Sequence, residues 1–295
     1  MTDNKKLNLA VVILTFNEEA NLEKCLKSVK DFAGEIFVVD SGSTDKTLQI
    51  AMDYGASIYS HSFKNQADQM NWALQNVPIK SNWILRLDAD EYVTPELADE
   101  IQEVLANSPK NITGYFIKRR VFFMGRWIRH GGYYPTWILR LWRAGKAKVE
   151  NREMDEHTVL LEGRAGKLKN DFVDDNRKSL KEWVAKHNDF SSREARERLR
   201  AMKQEAGSME QNGLTGQPER KRWMKQNFYM RLPIFLRAFL YFLYRYIIRL
   251  GFLDGKEGLI FHFLQGCWHQ FLIDAKMYEE TFKHKTQNIK QAATD

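Results

Sequence analysis

The stretch LNLAVVILTFNEEANLEKCLKSVKDFAGEIFVVDSGSTDKT, residues 7–47, decides the reading of the fold. Within it Leu9–Leu14 is an unbroken apolar run rich in β-branched residues, the pattern of a parallel strand covered on both faces. Glu18–Phe32 follows as a helix, with Leu22, Leu26 and Val29 at helical spacing. Glu35–Asp40 is a second buried strand, and Ser43–Tyr54 reads as a helix with Ser43 or Thr44 at its N-cap. Outward from this core, Ala56–Ser60 predicts a short strand, Asn65–Val77 a helix and Trp83–Asp88 a fourth strand. Thr94-Pro95 then opens another helix, with Thr as N-cap and Pro at the first helical position. Strands alternating with helices in this order imply an α/β fold: a doubly wound, mostly parallel, Rossmann-like sheet flanked by helices, with right-handed crossovers.

After residue 110 the pattern changes. Gly114–Val121, Ile138–Trp142, Thr158–Glu162 and Lys167–Asp171 read as shorter strands without intervening helices. Ser179–Ala206 reads as a charged helix with a break near Phe190, and residues 207–218 as a linker. Residues 219–295 form a distinct basic and aromatic region with a polar end.

Composition narrows the class. Of 295 residues, 43% are hydrophobic and 28% charged, a globular balance rather than a disordered one. Two cysteines, Cys25 and Cys267, exclude a disulfide-built scaffold. A mean hydropathy of −0.52 excludes a polytopic membrane protein. The polar start, Met1 to Lys6, leads straight into a strand and does not read as a signal peptide. Together these favour a reducing, cytoplasmic compartment. The net charge of +7 is concentrated: nine basic and two acidic residues lie between Glu219 and Lys256, and the rest of the chain sums to zero.

Ligands of a parallel α/β sheet bind at the carboxyl ends of its strands. Three strands here end in polar or acidic residues: Thr15-Phe16-Asn17-Glu18, Asp40-Ser41-Gly42-Ser43 and Asp88-Ala89-Asp90-Glu91. One acidic strand end commonly just caps the next helix, whereas three on one edge predict an acidic cleft. In an extended segment Asp88 and Asp90 would project to the same side. Two carboxylates so placed suit Mg²⁺ or Mn²⁺ shared with ligand phosphates. No glycine-rich dinucleotide fingerprint and no P-loop is present, which argues against dehydrogenases and P-loop NTPases. The seven histidines show no zinc-ligand spacing.

VVILTFNEEANLEKCLKSV, IFVVDSGSTDKT and WILRLDADE, in this order, resemble the family 2 glycosyltransferases of the GT-A fold over about residues 7–175. The tail YMRLPIFLRAFLYFLYRYIIRLGFLDGKEGLIF is similar to that of bacterial transferases acting in lipopolysaccharide core or exopolysaccharide assembly. The resemblance implies a nucleotide-sugar donor, a divalent metal and an inverting displacement. It implies that Thr15, Asn17 and Glu18 line the base and ribose pocket, that Asp40 hydrogen-bonds the base with Ser43 nearby, and that Asp88 sits near ribose and metal. Asp90 would ligate the metal, and Gln66, Gln69 and Asn71 fall where the family often has a polar helix start beside the donor.

Inversion needs a carboxylate to take the acceptor proton. The resemblance points to Met154-Asp155-Glu156-His157, with Glu156 first and Asp155 close behind. Gly131-Gly132-Tyr133-Tyr134-Pro135 and Arg140 complete the set: Tyr134 would stack on a sugar and Arg140 would contact phosphate. Cys25 sits on an apolar helical face and reads as core packing.

The organisation expected is a GT-A catalytic domain over 1–206, the linker over 207–218, and a helical membrane-associated region over 219–295. The longest uncharged stretch between arginines of the tail, Ala238–Tyr244, is too short to span a bilayer. Arg237, Tyr241, Arg245 and Arg249 share one side of a helix at 100° per residue, and Phe235, Phe239, Leu243, Tyr246, Ile247 and Leu250 take the rest. This predicts a helix lying on an anionic membrane surface through its arginines, peripheral on the inner face of the cell membrane. The main reading is transfer of a sugar, UDP-hexose favoured, to a lipid-linked saccharide acceptor. Transfer to polyprenyl phosphate and a non-enzymatic membrane-associated binding protein are the alternatives. No nucleic-acid partner is expected, because the tail's aromatics sit among Leu and Ile rather than free to stack on bases.

Overall fold

The computed structural model describes residues 6–151, 156–204, 229 and 232–292. The chain forms two units, Met1–Lys178 and Ser179–Asp295. The first unit grows from β1 (Leu7–Thr15), whose apolar run is divided between the two faces of a sheet. Leu9, Val11 and Ile13 enter a core with Leu22, Cys25, Leu26 and Val29 of α1 (Leu22–Val29). Ala10, Val12 and Leu14 enter another with Ala67, Met70 and Ala73 of α3 (Gln66–Asn76). Burial on both sides is why the run shows no polar alternation, and each such side chain contributes roughly 1.5–3 kcal/mol.

β2 (Ala33–Asp40), β3 (Ser57–Ser60) and β4 (Trp83–Asp88) complete a parallel half in the order β3-β2-β1-β4. α2 (Thr47–Asp53) lies between β2 and β3 in the chain, and α4 (Pro95–Asn107) follows β4. The second half is mixed. β8 (Thr136–Arg143) runs antiparallel to both β4 and β6 (Ile112–Phe123). β11 (Arg164–Asp175) is parallel to β6, and β5 (Glu91–Val93) closes the edge antiparallel to β11. β7 (Arg126–Ile128) folds back on β6, and β9 (Ala147–Val149) pairs with β10 (Thr158–Leu160) as a separate ribbon.

Two helices begin later than their periodicity predicts. α1 starts at Leu22 rather than Glu18; Glu18 follows the left-handed Asn17 (φ 51°) and is tied by its N–H to Thr47 Oγ1. α2 starts at Thr47 rather than Ser43, because residues 41–43 wrap around the Asp40 carboxylate. α4 starts as predicted, with Thr94 Oγ1 accepting the Leu97 N–H at 3.2 Å.

The second unit begins with α5 (Leu180–Gln204), unbroken at Phe190. The sequence reading places this helix in the catalytic domain, whereas its Ala195 and Leu199 pack on Ile273 and Met277 of α8 (His269–Ala292). The expected linker at 207–218 lies outside the described residues. α6 (Leu236–Leu243) runs on into a π-helical turn, Tyr244–Ile248. A 3-10 turn (Gly251–Asp254) leads to α7 (Gly255–His262), which continues through a π segment (Phe263–Trp268) into α8.

The arginines expected at a membrane surface are corrected here. Arg237 is 1% exposed and gives a forked ion pair to the equally buried Asp274, Nε donating to Oδ1 and Oδ2 at 3.0 and 2.9 Å. Arg245 is also buried and donates to Tyr241 Oη at 3.1 Å. Of the three, Arg249 alone is exposed. The stripe is real, but it points inward, because one buried carboxylate on α8 draws the guanidinium of Arg237 to it. The same carboxylate accepts the backbone N–H of Phe235 at 3.0 Å, holding that residue's left-handed backbone (φ 66°) at the start of α6. Among the described residues no helix is long and apolar enough to cross a membrane.

Candidate functional site

Strand register brings the three predicted strand ends together: Asp40 lies opposite Thr15, and Asp88 opposite Leu14. Thr15 Oγ1 donates to Asp40 Oδ1 at 2.9 Å. The other Asp40 oxygen accepts the Gly42 and Ser43 N–H groups, both at 2.8 Å, and Ser43 Oγ donates to Oδ1. Asp40, expected to hydrogen-bond the base, is 2% exposed with both oxygens engaged, so it pins the 40–43 turn. Ser43 Oγ also accepts the Asn17 N–H at 2.8 Å, while Asn17 Oδ1 accepts the Thr44 N–H at 2.8 Å. The loops after β1 and β2 are thus tied to each other. Gln69 secures them from α3, donating to Val39 O at 3.1 Å and to Ser41 Oγ. Asn71, expected beside the donor, instead exchanges two hydrogen bonds with Val149 of β9, and Gln66 accepts from Arg86 at 3.3 Å.

The end of β4 is the charged centre. Arg140, from β8, donates to Asp88 Oδ2 at 2.9 Å and to Glu91 Oε1 at 2.5 Å. Arg86 reaches Asp88 Oδ1 at 3.5 Å, and Glu91 Oε2 accepts the Asp88 N–H at 2.9 Å. Arg140, expected to contact phosphate, is 5% exposed and turned to these carboxylates. Against its burial, Asp88 and Glu91 hold the guanidinium protonated, above its ordinary range. Burial raises the Glu91 carboxyl against the pull of Arg140. Asp88 and Asp90 are not related as neighbours in one extended strand, since β4 stops at Asp88 and Ala89-Asp90 form a turn into β5. Asp90 Oδ2 accepts from Asn176 Nδ2 at 3.0 Å, just past β11.

Glu18 completes the edge. It accepts from Asn21 and from Lys178 Nζ, both at 2.7 Å, and its N–H donates to Thr47 Oγ1 at 2.7 Å. Burial, then the charge of Asp90, raises its carboxyl above the ordinary range. Cys25 lies behind the cluster, its thiol pushed well up by burial and further by Glu91, Asp90, Asp88 and Glu18. The predicted role of Cys25 as core packing holds.

A small divalent cation takes oxygen ligands, commonly one or two carboxylates completed by substrate phosphates and water. Asp90 with Asp88 offers that kind of donor set, and Asp88 arrives already balanced by Arg140 and Arg86. Among the described residues no group of three or more His, Cys, Asp or Glu forms an all-protein cage. The residues therefore fit a metal whose coordination a diphosphate completes.

Tyr134 stands across the sheet, in the loop between β7 and β8. Gly131 and Gly132, both at positive φ, let the chain make this turn without a Cβ penalty. Tyr134 Oη donates to Asp171 at 3.0 Å, and its ring meets Trp127 edge-on at 5.1 Å. Buried Asp171 also holds Arg120 at 2.7 Å and Lys118 at 3.0 Å. Glu156 is half-buried next to His157, whose carbonyl accepts the Glu150 N–H at 2.9 Å at the foot of the β9–β10 ribbon. Asp155 lies outside the described residues.

Arg86, Asn176, Lys178, Lys118 and Asp171 were not singled out by the sequence reading. Arg86 alone left a signal, as a charge inside the apolar run WILRLD.

The family model described as Glycosyl transferase family 2 matches residues 10–165, over half of the chain. The lipopolysaccharide core biosynthesis glycosyltransferase LpsC of Rhizobium meliloti is 33% identical over 171 residues, 55% of this chain and 60% of LpsC. An uncharacterized glycosyltransferase of Rickettsia bellii is 40% identical over 99 residues, 34% of this chain and 33% of that protein. The chain thus spans less than two thirds of either relative. Among solved structures, glucosyl-3-phosphoglycerate synthase of Mycobacterium tuberculosis, in complex with Mn²⁺, UDP and glucosyl-3-phosphoglycerate, overlaps 39% of this chain and 44% of its own, at 22% identity and a TM-score of 0.33. S. aureus TarS 1–349 overlaps 95% of this chain and 92% of its own, at 14% identity and a TM-score of 0.45. Both overlaps are too loose to carry residues across.

Proposed function

The chain belongs to glycosyl transferase family 2, and from that premise we propose that it transfers a sugar from a nucleotide-sugar donor, a UDP-hexose, to a lipid-linked saccharide acceptor in lipopolysaccharide or exopolysaccharide assembly. The observation that carries this reading is the acidic edge itself: Thr15, Asp40 and Asp88 in one register, with Asp90 on the turn beside them. The similarity to LpsC supports the class of acceptor. The enzyme would work at the inner face of the cell membrane, where a cytoplasmic nucleotide sugar meets a lipid-borne acceptor.

In this reading Thr15, Asn17, Asp40, Ser43 and Gln69 keep the loops after β1 and β2 in the shape that receives the nucleoside. Asp90, with Asp88, would hold Mg²⁺ or Mn²⁺ against the donor's diphosphate, and Asn176 orients Asp90. When bound, the ion neutralises the departing diphosphate. Arg140 holds the Asp88 carboxylate in place. Glu156 or Asp155 takes the proton of the acceptor hydroxyl, whose oxygen attacks the anomeric carbon opposite the leaving group, so the configuration inverts. Tyr134 offers a ring to the acceptor from the far half of the sheet.

A panel of nucleotide sugars with lipid-linked saccharide acceptors, with Mg²⁺, Mn²⁺ or chelator, tests this. Metal-dependent transfer with inverted product from one UDP-hexose is expected. Transfer from none of the donors, or undiminished transfer in chelator, contradicts it.

A further inference from the structure

The polarity of the helices around residues 234–263 is reversed. On α6 and its π-helical extension Leu236, Phe239, Leu240, Leu243, Ile247 and Ile248 are exposed, Ile248 by 69%. Their three- and four-residue steps form one stripe. The opposite stripe holds the buried Arg237 and Arg245 with Tyr241. Phe252 and Leu253 in the 3-10 turn, and Leu259, Ile260 and Phe263 beyond it, are exposed as well. Asp254 and His262 are buried on the other side, 3.5 Å apart. The two arms meet at the buried His262, whose ring lies 6.2 Å from that of Tyr246.

In water a helix pair gains by turning such stripes the other way. In lipid, ionisable side chains face inward and pair with one another, as Arg237 and Asp274 do here. α6 and its extension, Leu236–Ile248, measure about 20 Å at 1.5 Å per residue, short of a hydrocarbon core of about 30 Å. Two exposed cations accompany the stripes: Arg249 at the end of the first arm and Lys256 within the second. A second copy docked on this surface would have to bury both charges. At a lipid interface both stems lie along apolar surface while the heads reach anionic headgroups.

We infer that the hairpin 236–263 is an insertion surface for one leaflet of an anionic bilayer, its two apolar stripes among the acyl chains and Arg249 and Lys256 at the phosphates. The inference deepens the lipid-linked acceptor reading, on which its purpose rests, and it changes the mode of attachment from arginine contact to apolar insertion.

The test is flotation of the full chain with phosphatidylcholine vesicles containing phosphatidylglycerol, alongside a variant carrying Ile248→Ser and Ile260→Ser. Partition is expected to fall about tenfold for each isoleucine removed, and the parent is expected to stay bound in high salt. An environment-sensitive dye on Ile260→Cys should shift to the blue on vesicle addition, unlike the same dye on Met52→Cys in α2. Absence of flotation by the parent, equal flotation by parent and variant, or a dimer that the two substitutions dissolve without vesicle binding would overturn the inference. Transfer to a lipid-free acceptor saccharide, read on the same samples, is expected to be unchanged in the variant. Flotation without any transfer defeats the enzymatic reading and leaves the surface standing, whereas transfer without flotation does the reverse.

Discussion

In the first unit apolar side chains fill both faces of a sheet, and carboxylates collect at one edge. In the second unit a forked Arg237–Asp274 pair and several histidines are buried, while leucines, isoleucines and phenylalanines stand outside. The apolar core shared by α5 and α8 is small, built on Ala195, Ile273 and Met277. The hydrophobic effect organises the first unit and charge pairing the second. That difference teaches where each unit is fragile: the first should tolerate loss of a polar group at its edge without unfolding, and the second should not tolerate loss of one inside.

The strongest way to break this contrast is to remove one half of the buried pair. Arg237→Met is expected to cost about 3–5 kcal/mol, because buried Asp274 loses its forked partner and keeps only Arg198, 3.9 Å away, and the Phe235 N–H. Replacing both, Arg237→Met with Asp274→Leu, should recover most of that loss. Hydrogen exchange of α6 and α8 would read both variants, and a harmless single substitution would mean that the pair holds nothing.

Acid should sharpen the same contrast. His187 is stacked on Trp183 with ring centroids 3.5 Å apart, and burial lowers it to about 4, with nearby His269 acting in the same direction. A depressed folded value means that its stability is fully present above the ordinary value of about 6.5 and is lost as pH falls from there to about 4. The loss from this one group amounts to roughly 3 kcal/mol. Protection of α5 and α8 from hydrogen exchange should fall over that range in the parent, and His187→Phe should flatten the slope.

The edge of the first unit gives smaller effects of another kind. Asn176→Ala leaves the sheet intact but removes the Asn176 hydrogen bond from Asp90. A roughly tenfold rise in the metal concentration for half-maximal transfer is expected, the cost typical of losing a group that orients a ligand. An unchanged metal titration would remove Asn176 from the site. Thr94→Ala should cost only about 1 kcal/mol, the worth of one N-cap, seen as a small drop in melting temperature.

What the sequence could express differs between the units for the same reason. Leu9–Leu14, EIFVVD and WILRLD announce buried strands because burial on both faces leaves a mark in one contiguous run. Their acidic ends are equally visible, since the edge of a parallel sheet follows from strand direction. The three-residue strands β5, β7 and β9 are too short to show any period. Asn176 and Lys178 stayed hidden because they work through approach in space: Asn176 meets Asp90 across 86 residues, and Lys178 meets Glu18 across 160. The Arg237–Tyr241–Arg245 stripe was legible as a stripe. Which way it turns was not, because a 100° repeat gives two faces and is silent on what covers each.

The most direct measurement is sugar transfer by Asp90→Ala in the full chain, with melting temperature recorded beside it. A loss of about hundredfold or more in turnover at unchanged melting temperature is expected, since the substitution removes a metal-holding carboxylate from an edge the fold does not depend on. Turnover equal to the parent's would contradict the assignment of the acidic edge as the catalytic site.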